Sequence, residues 1–153
     1  MTTKMLPVDC SRPVSALSFD YGTKRIGIAF GQSISSTTEA VNVIRAKDGV
    51  PNWDIVANLI KIWKPDLLIV GLPYNLDGTE SALLKRASKF ANRLNGRFNI
   101  PTFGIDERLS SKAAEEKLKK ENSKKSYGTD LDNLAAQIIL QTWFTEYHKK
   151  VTD

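Results

Sequence analysis

The spacing of apolar residues changes period once along this chain, and that change limits the folds open to it. Over Arg25-Ile26-Gly27-Ile28-Ala29-Phe30-Gly31 bulky apolar and small residues alternate, the period-two signature of a strand. Val14 to Phe19 precedes it as a second strand, separated by the polar turn Asp20-Tyr21-Gly22-Thr23-Lys24. Ala40 to Ile44 predicts a third, short one. Three strands with short connections predict an antiparallel meander. From Trp53 onward the period is helical: Trp53, Val56, Ile60 and Trp63 share the face of a helix that ends before Pro65. Leu67-Leu68-Ile69-Val70-Gly71 is a continuous apolar run, as expected for a strand covered on both sides.

The second half continues the alternation of strand and helix. Asp77 and Glu80 have the spacing of a capping box ahead of a helix that carries Leu83, Leu84, Ala87, Phe90, Ala91 and Leu94 on one face and ends at Gly96. Thr102 to Ile105 predicts a strand leading into Asp106-Glu107-Arg108. Ser110 or Ser111 caps the next helix, through about Lys119. Lys119 to Lys125 has the composition of a mobile basic loop, equally suited to gripping nucleic acid or to simple solvation. The last helix starts near Thr129 or Asp130, with Leu131, Leu134, Ala135, Ile138 and Ile139 as its buried stripe. The order β-β-β-α-β-α-β-α-α predicts an α/β protein, a five-stranded mixed sheet made of a meander and then βαβ units, with helices on both faces. This is the order of the ribonuclease-H-like fold. Each half of sugar kinases and actin-like ATPases shares it, so function must be argued from a site.

A chain of 153 residues fits one domain with a real core. The expected division is a loose arm at 1–13, a domain at 14–148 and a tail at 149–153. The arm lacks the pattern of a signal peptide, and no apolar run is long enough to cross a bilayer. The expectation is a cytoplasmic protein with no membrane contact.

Two residue counts exclude much chemistry. Cys10 is the only cysteine and His148 the only histidine, which falls in the polar tail beyond the last apolar pattern. An internal disulfide, a multi-cysteine zinc site and a histidine-based triad are therefore excluded within one chain. Catalysis is left to carboxylates, lysines, hydroxyls and backbone, and a metal bound by oxygen would be Mg²⁺ or Mn²⁺. The net charge of +5 favours a polyanionic partner only modestly.

Three acidic positions stand out, and each has an ordinary explanation. Asp20 ends the first strand, where Asp also serves to satisfy turn amides. The pair Asp106-Glu107 ends a later strand, where acids also suit the start of a helix. Asp132 borders the apolar stripe of the last helix, or complements its N-terminus. Their combination is more informative. In a ribonuclease-H-like sheet the first strand is central, and a helix packed across the sheet would bring Asp132 toward Asp20. Clustered carboxylates repel unless they hold a divalent cation, and such cations support phosphodiester cleavage without histidine.

Four stretches together resemble the YqgF (RuvX) family, in its order and spacing. They are Phe19-Asp20-Tyr21-Gly22-Thr23-Lys24-Arg25-Ile26-Gly27-Ile28-Ala29, Ile69-Val70-Gly71-Leu72-Pro73-Tyr74-Asn75-Leu76-Asp77-Gly78-Thr79-Glu80, Asp106-Glu107-Arg108-Leu109-Ser110 and Asp132-Asn133-Leu134-Ala135-Ala136. The resemblance implies a metal-dependent nuclease, described for that family as maturing the 5′ end of pre-16S ribosomal RNA or as resolving Holliday junctions. It implies Asp20 and Asp132 as metal-binding catalytic acids, with a further acid from Asp106 or Glu107. Lys24 and Asn75 fall at positions that could touch the scissile strand. Arg25 and Arg108 are candidates for phosphate contacts, Arg108 more naturally as a structural salt bridge. The implied partners are pre-16S rRNA or branched DNA, with ribosomal precursor particles beyond them. Trp143, Phe144 and Tyr147 are a candidate homodimer contact. Two positions depart from relatives: Gly71 stands where related junction resolvases place a glutamate, and Asp130 where the family often carries a basic residue. The competing functions are a non-catalytic nucleic-acid-binding module and an ATP-dependent phosphotransferase, the latter suggested by the Asp20-to-Lys24 turn.

Overall fold

The computed structural model describes residues 4–123 and 131–152, with side chains described at 4–121 and 134–150. Its strands are β1 (Ser15–Asp20), β2 (Arg25–Gln32), β3 (Thr37–Lys47), β4 (Val50–Pro51), β5 (Leu67–Leu72) and β6 (Thr102–Asp106). Its helices are α1 (Trp53–Trp63), α2 (Ala82–Phe98), α3 (Lys112–Ser123) and α4 (Leu131–Thr152), with a 3₁₀ turn at Glu107–Leu109. The six strands lie in the order β4-β3-β2-β1-β5-β6. β1 pairs antiparallel with β2 and parallel with β5, and β5 pairs parallel with β6. The meander followed by βαβ units is therefore present.

The sixth strand, one more than expected, comes from a single turn. Asp48 and Gly49 both adopt positive φ, 49° and 82°. This is the mirror-image hairpin geometry that Asp-Gly favours, and it folds Val50–Pro51 back onto the end of β3. β3 is also longer than Ala40 to Ile44, because pairing with β2 runs from Gln32↔Thr37 to Arg25↔Arg45 around a bulge at Ile28/Ala29.

Strand parity splits the core in two. Leu17, Phe19, Leu68 and Val70 face α1 and α2, while Ala16, Leu67, Ile69 and Ile105 face α4. On α4 the buried stripe continues past Ile139 through Leu140, Trp143, Phe144 and Tyr147. The last three aromatics are 0%, 1% and 1% exposed, so they are core residues and cannot be the dimer contact expected of them. Trp143 Nε1 donates to the Met5 carbonyl (2.8 Å) and the Tyr147 hydroxyl donates to the Arg12 carbonyl (2.6 Å). Gly104 N donates to the Lys4 carbonyl, and Cys10 is buried. The segment expected to be a loose arm is thus docked along α4 and β6 from residue 4. Tyr147→Phe keeps the ring and removes the donor; it is expected to destabilise by about 1 kcal/mol, read as a lower denaturant midpoint.

Helix ends depart from expectation for local reasons. Ser81, not Asp77, caps α2: its Oγ accepts from Leu84 N at 2.9 Å. Asp77 Oδ1 instead accepts from Thr79 N and Thr79 Oγ1, closing a turn within the loop. α2 passes Gly96 and stops at Asn99, which adopts the left-handed conformation at φ 54°. α3 extends to Ser123, so positions 119–123 are helical rather than loop. Residues 124 and 125 of the expected loop, and Asp130, lie outside the described residues.

Candidate active site

The same parity builds the site. Ser18 lies on the α4 side of β1, its Oγ donating to the Ala136 carbonyl at 2.7 Å. Asp20, two residues on, follows it to that side at the strand's C-terminal end. On β5, Leu67 and Ile69 face α4, which puts Gly71 there too; on β6, Phe103 and Ile105 do, which directs Glu107 the same way. β1, β5 and β6 run parallel, so these positions meet at one end of the sheet. Ligands collect at that end in open α/β sheets.

The pair left open by sequence is separated by this geometry. Asp106 falls on the opposite parity and is held by Arg108, whose Nε lies 3.0 Å and Nη2 2.6 Å from its carboxylate oxygens. Arg108 depresses the Asp106 pKa, chiefly through its side-chain hydrogen bond. The same guanidinium sits 5.1 Å over the Tyr74 ring. Arg108 thus takes the salt-bridge arrangement rather than standing free for a phosphate. Glu107 is the opposite case. Burial, then the negative charges of Asp20 and Asp106, push its pKa up to about 7. Among the described residues Glu107 faces two further acids while burial strips it of water, an arrangement that calls for a cation.

Gly71 makes room for it. A Cβ at this position would lie 2.5 Å from Ile139 Cδ1 and 2.9 Å from Glu107 Oε1. The residue that departs from related junction resolvases is therefore where the Glu107 carboxylate leans across β5 toward Asp20. Gly71→Ala forces both side chains aside and is expected to cost about 1–3 kcal/mol by chemical denaturation. Next to Glu107 a cavity of about 180 Å³ opens between the 3₁₀ turn, α3 and α4, lined among others by Ser110, Glu115, Ile138 and Thr142.

The remaining candidates sit around this centre. Lys24 and Arg25 flank the β1–β2 turn, both exposed, with the Lys24 carbonyl accepting from Ala46 N. That turn depends on Gly22, whose Cβ would lie 2.5 Å from the Arg25 carbonyl oxygen. Asn75 shapes its own loop, with Nδ2 donating to Thr79 Oγ1 at 3.0 Å and its backbone N to the Thr79 carbonyl. This loop presents Leu76 at 94% exposure. Asp132 falls on the first turn of α4, the helix over this face, but its side chain lies outside the described residues. Among the described residues no three metal-ligating side chains converge. No helix among them is long and apolar enough to cross a membrane. His148 is not in the tail but on α4, near the Ser33 carbonyl and Ser36 Oγ.

Comparison with known proteins agrees with this architecture. A Saccharophagus degradans protein named "Putative pre-16S rRNA nuclease" is 50% identical over 132 residues, spanning 86% of this chain and 93% of its own. A Haemophilus ducreyi protein of the same name is 47% identical over 129 residues, spanning 84% and 94%. Among solved structures, T. thermophilus RuvC in complex with a Holliday junction substrate superposes with a TM-score of 0.60 at 12% identity, over 90% of this chain and 96% of that one. The yeast mitochondrial Holliday junction resolvase Ydc2 gives 0.56 at 10% identity, over 90% and 80%. At these identities the likeness bears on the fold, which is ribonuclease-H-like. The family model described as "RuvX: Holliday junction resolvase" matches residues 14–146. With nearly the whole domain matched, the chain belongs to the RuvX family.

Proposed function

We propose that this protein is a metal-dependent nuclease that hydrolyses phosphodiester bonds in the 5′-end maturation of pre-16S rRNA, with Asp20, Glu107 and Asp132 as its catalytic acids. The observation that carries the reading is the Asp20–Glu107 pair at the C-terminal ends of parallel strands, with Glu107 raised to about 7 by burial and like charge. Such a pair is unfavourable by itself and fits a divalent cation with oxygen ligands. Asp20, Glu107 and Asp132 would hold Mg²⁺ or Mn²⁺. Bound there, the cation supplies acidification of the attacking water and charge stabilisation at the phosphoryl oxygens.

The chain's own residues do the rest. Gly71 keeps the wall of the site low enough for the Glu107 carboxylate to reach across. Arg108 holds Asp106 and, through Tyr74, braces the loop that carries Asn75 beside the strand ends. Lys24 and Arg25 approach the substrate backbone from the β1–β2 turn as positioning charges. The choice of ribosomal precursor follows the relatives of about half identity, which carry that name. Branched DNA is the second reading, favoured by the description of the family model. Precursor ribosomal particles in the cytoplasm are the setting this implies.

The test is incubation of the purified protein with a structured precursor of small-subunit rRNA and with a four-way DNA junction, in Mn²⁺ or in EDTA. Cleavage of the RNA that EDTA abolishes is the expected result. Preferential cutting of the junction would replace the substrate with branched DNA. Cleavage unaffected by EDTA, or none on either substrate, would remove the metal-dependent nuclease reading.

A further inference from the structure

The charge of this protein is unevenly placed. α2 carries Lys85, Arg86, Lys89, Arg93 and Arg97 and no acidic residue, so this one helix carries a formal charge equal to the +5 of the whole chain. At 3.6 residues per turn these five cations fall within an arc of about 120°. The buried residues Leu84, Ala87, Phe90, Ala91 and Leu94 occupy the facing arc. Lys85, Lys89, Arg93 and Arg97 are exposed, and Arg86 is partly so. A solvated helix usually intersperses both signs, which supports it through pairs one turn apart. Here like charges repeat along one edge, and the arrangement is unfavourable unless something anionic lies on it.

The stripe starts at the same end of the sheet as the site but on the opposite face, since α2 packs on the side of Phe19 and Val70 and α4 on the side of Ser18 and Asp20. Tyr21, the neighbour of Asp20, packs its ring 5.0 Å from Phe90, and its hydroxyl reaches the Gly49 backbone and the Arg86 guanidinium. Asp48 on the β3–β4 turn pairs with Arg86 at 2.9 Å. From there the stripe runs along the helix to Arg97, which lies 4.4 Å over the Trp53 ring. Arg86 and Arg97 therefore have intramolecular partners that fix their positions, and Lys85, Lys89 and Arg93 supply the exposed charge alongside them. From Lys85 to Arg97 the helix rises about 18 Å, the axial length over which one strand of a B-form duplex carries about five phosphates.

We infer that the outer face of α2 is a second nucleic-acid contact, a phosphate track that holds the double-stranded flank of the substrate while the strand to be cut lies at Asp20. This rests on the nuclease reading for its substrate class and adds where the uncut part of that substrate lies. The track is expected to bind backbone charge and shape first, because its cations are spaced along one helix edge over the rise of several phosphates.

The test uses the full chain carrying Asp20→Asn, so that binding is measured without cleavage. A fluorescent RNA hairpin with a long stem and a DNA duplex of the same sequence are titrated at several salt concentrations. The comparison is between that protein, a version with Lys85→Gln, Lys89→Gln and Arg93→Gln, and a version with the exposed Lys4→Gln, Lys61→Gln and Lys64→Gln. Neither triple substitution removes a buried group, and matched thermal melts establish that all three proteins are folded. The α2 version is expected to bind at least about tenfold more weakly at roughly 0.1 M salt, with a salt slope smaller by about 2–3, one unit for each phosphate no longer neutralised. The charge-matched control is expected to keep the parent slope. An unchanged slope in the α2 version, or an equal weakening in the control, overturns the track while wild-type cleavage keeps the nuclease reading standing. Absence of binding by all three overturns both. A greater effect on RNA or on DNA supports the track and identifies which duplex it holds.

Discussion

Asp20→Asn is expected to lower metal-dependent cleavage by at least about 10³-fold while leaving the fold and nucleic-acid binding unchanged. The substitution is nearly isosteric, so the packing of the β1 end, with Phe19 facing one side and Ser18 the other, stays as it is. What it removes is one of the carboxylates clustered at the parallel strand ends, beside Glu107 and Asp106. If catalysis runs through a cation held by those carboxylates, an amide in place of one ligand loses both affinity and transition-state stabilisation. If instead the chain is a binding module, no cation depends on Asp20, and Asn serves the turn equally well. Cleavage rates of the two proteins at saturating Mn²⁺, with matched melting curves, separate these cases. Activity retained within about tenfold would place the chemistry elsewhere.

Much of the architecture was legible in the sequence because period-two and helical patterns are set by which face is buried. Leu17/Phe19 against Ala16/Ser18, and Leu68/Val70 against Leu67/Ile69, are ordinary strand alternations once both faces are covered. The position of Asp20 at the end of the central strand followed from order alone. Whether Asp106 or Glu107 faces the site did not, although its signal was present. Phe103 and Ile105 share a face, and Glu107 continues their parity, but which face meets α4 is fixed only by the tertiary arrangement. Other features went unread for local reasons. Asp48-Gly49 is a strong hairpin signal, yet the strand it creates has two residues and no apolar pattern to reveal it. The aromatics of α4 resemble an exposed cluster only if the preceding arm is taken as loose. With Met5 and Arg12 accepting from Trp143 and Tyr147, they have a cover. The basic stripe of α2 needed no structure to count, but its start at the sheet end that carries Asp20 did, since Tyr21, the next residue, packs on Phe90 from the α2 face.

Glu107→Gln is expected to stabilise the metal-free protein at pH 8 by up to about 3 kcal/mol, and to abolish the gain that wild type shows when Mn²⁺ is added. The sign follows from the direction of the shift. Glu107 has an ordinary value of 4.5 and is raised to about 7 in the folded state, by burial first and by Asp20 and Asp106 next. Below pH 4.5 it is protonated in both states and carries no penalty. As pH rises from 4.5 toward 7, the unfolded chain releases this proton while the folded chain retains it, so folding becomes less favourable. Above about 7 the folded protein holds a charged, poorly solvated carboxylate, and the full penalty is present. Glutamine cannot ionise, so the variant should match wild type near pH 4 and exceed it increasingly up to about pH 8. A divalent cation reverses the order: it needs the ionised carboxylate, so its binding stabilises wild type above about pH 7 and weakens as pH falls below that value. Urea unfolding at about pH 4, 6 and 8, with and without Mn²⁺, reads both effects. A variant no more stable than wild type at high pH without metal would show that Glu107 is not held in the strained ionisation derived for it. Equal stabilisation of both proteins by Mn²⁺ would place the cation away from this carboxylate. A gain confined to wild type would tie the acid that Gly71 makes room for to the metal on which cleavage depends.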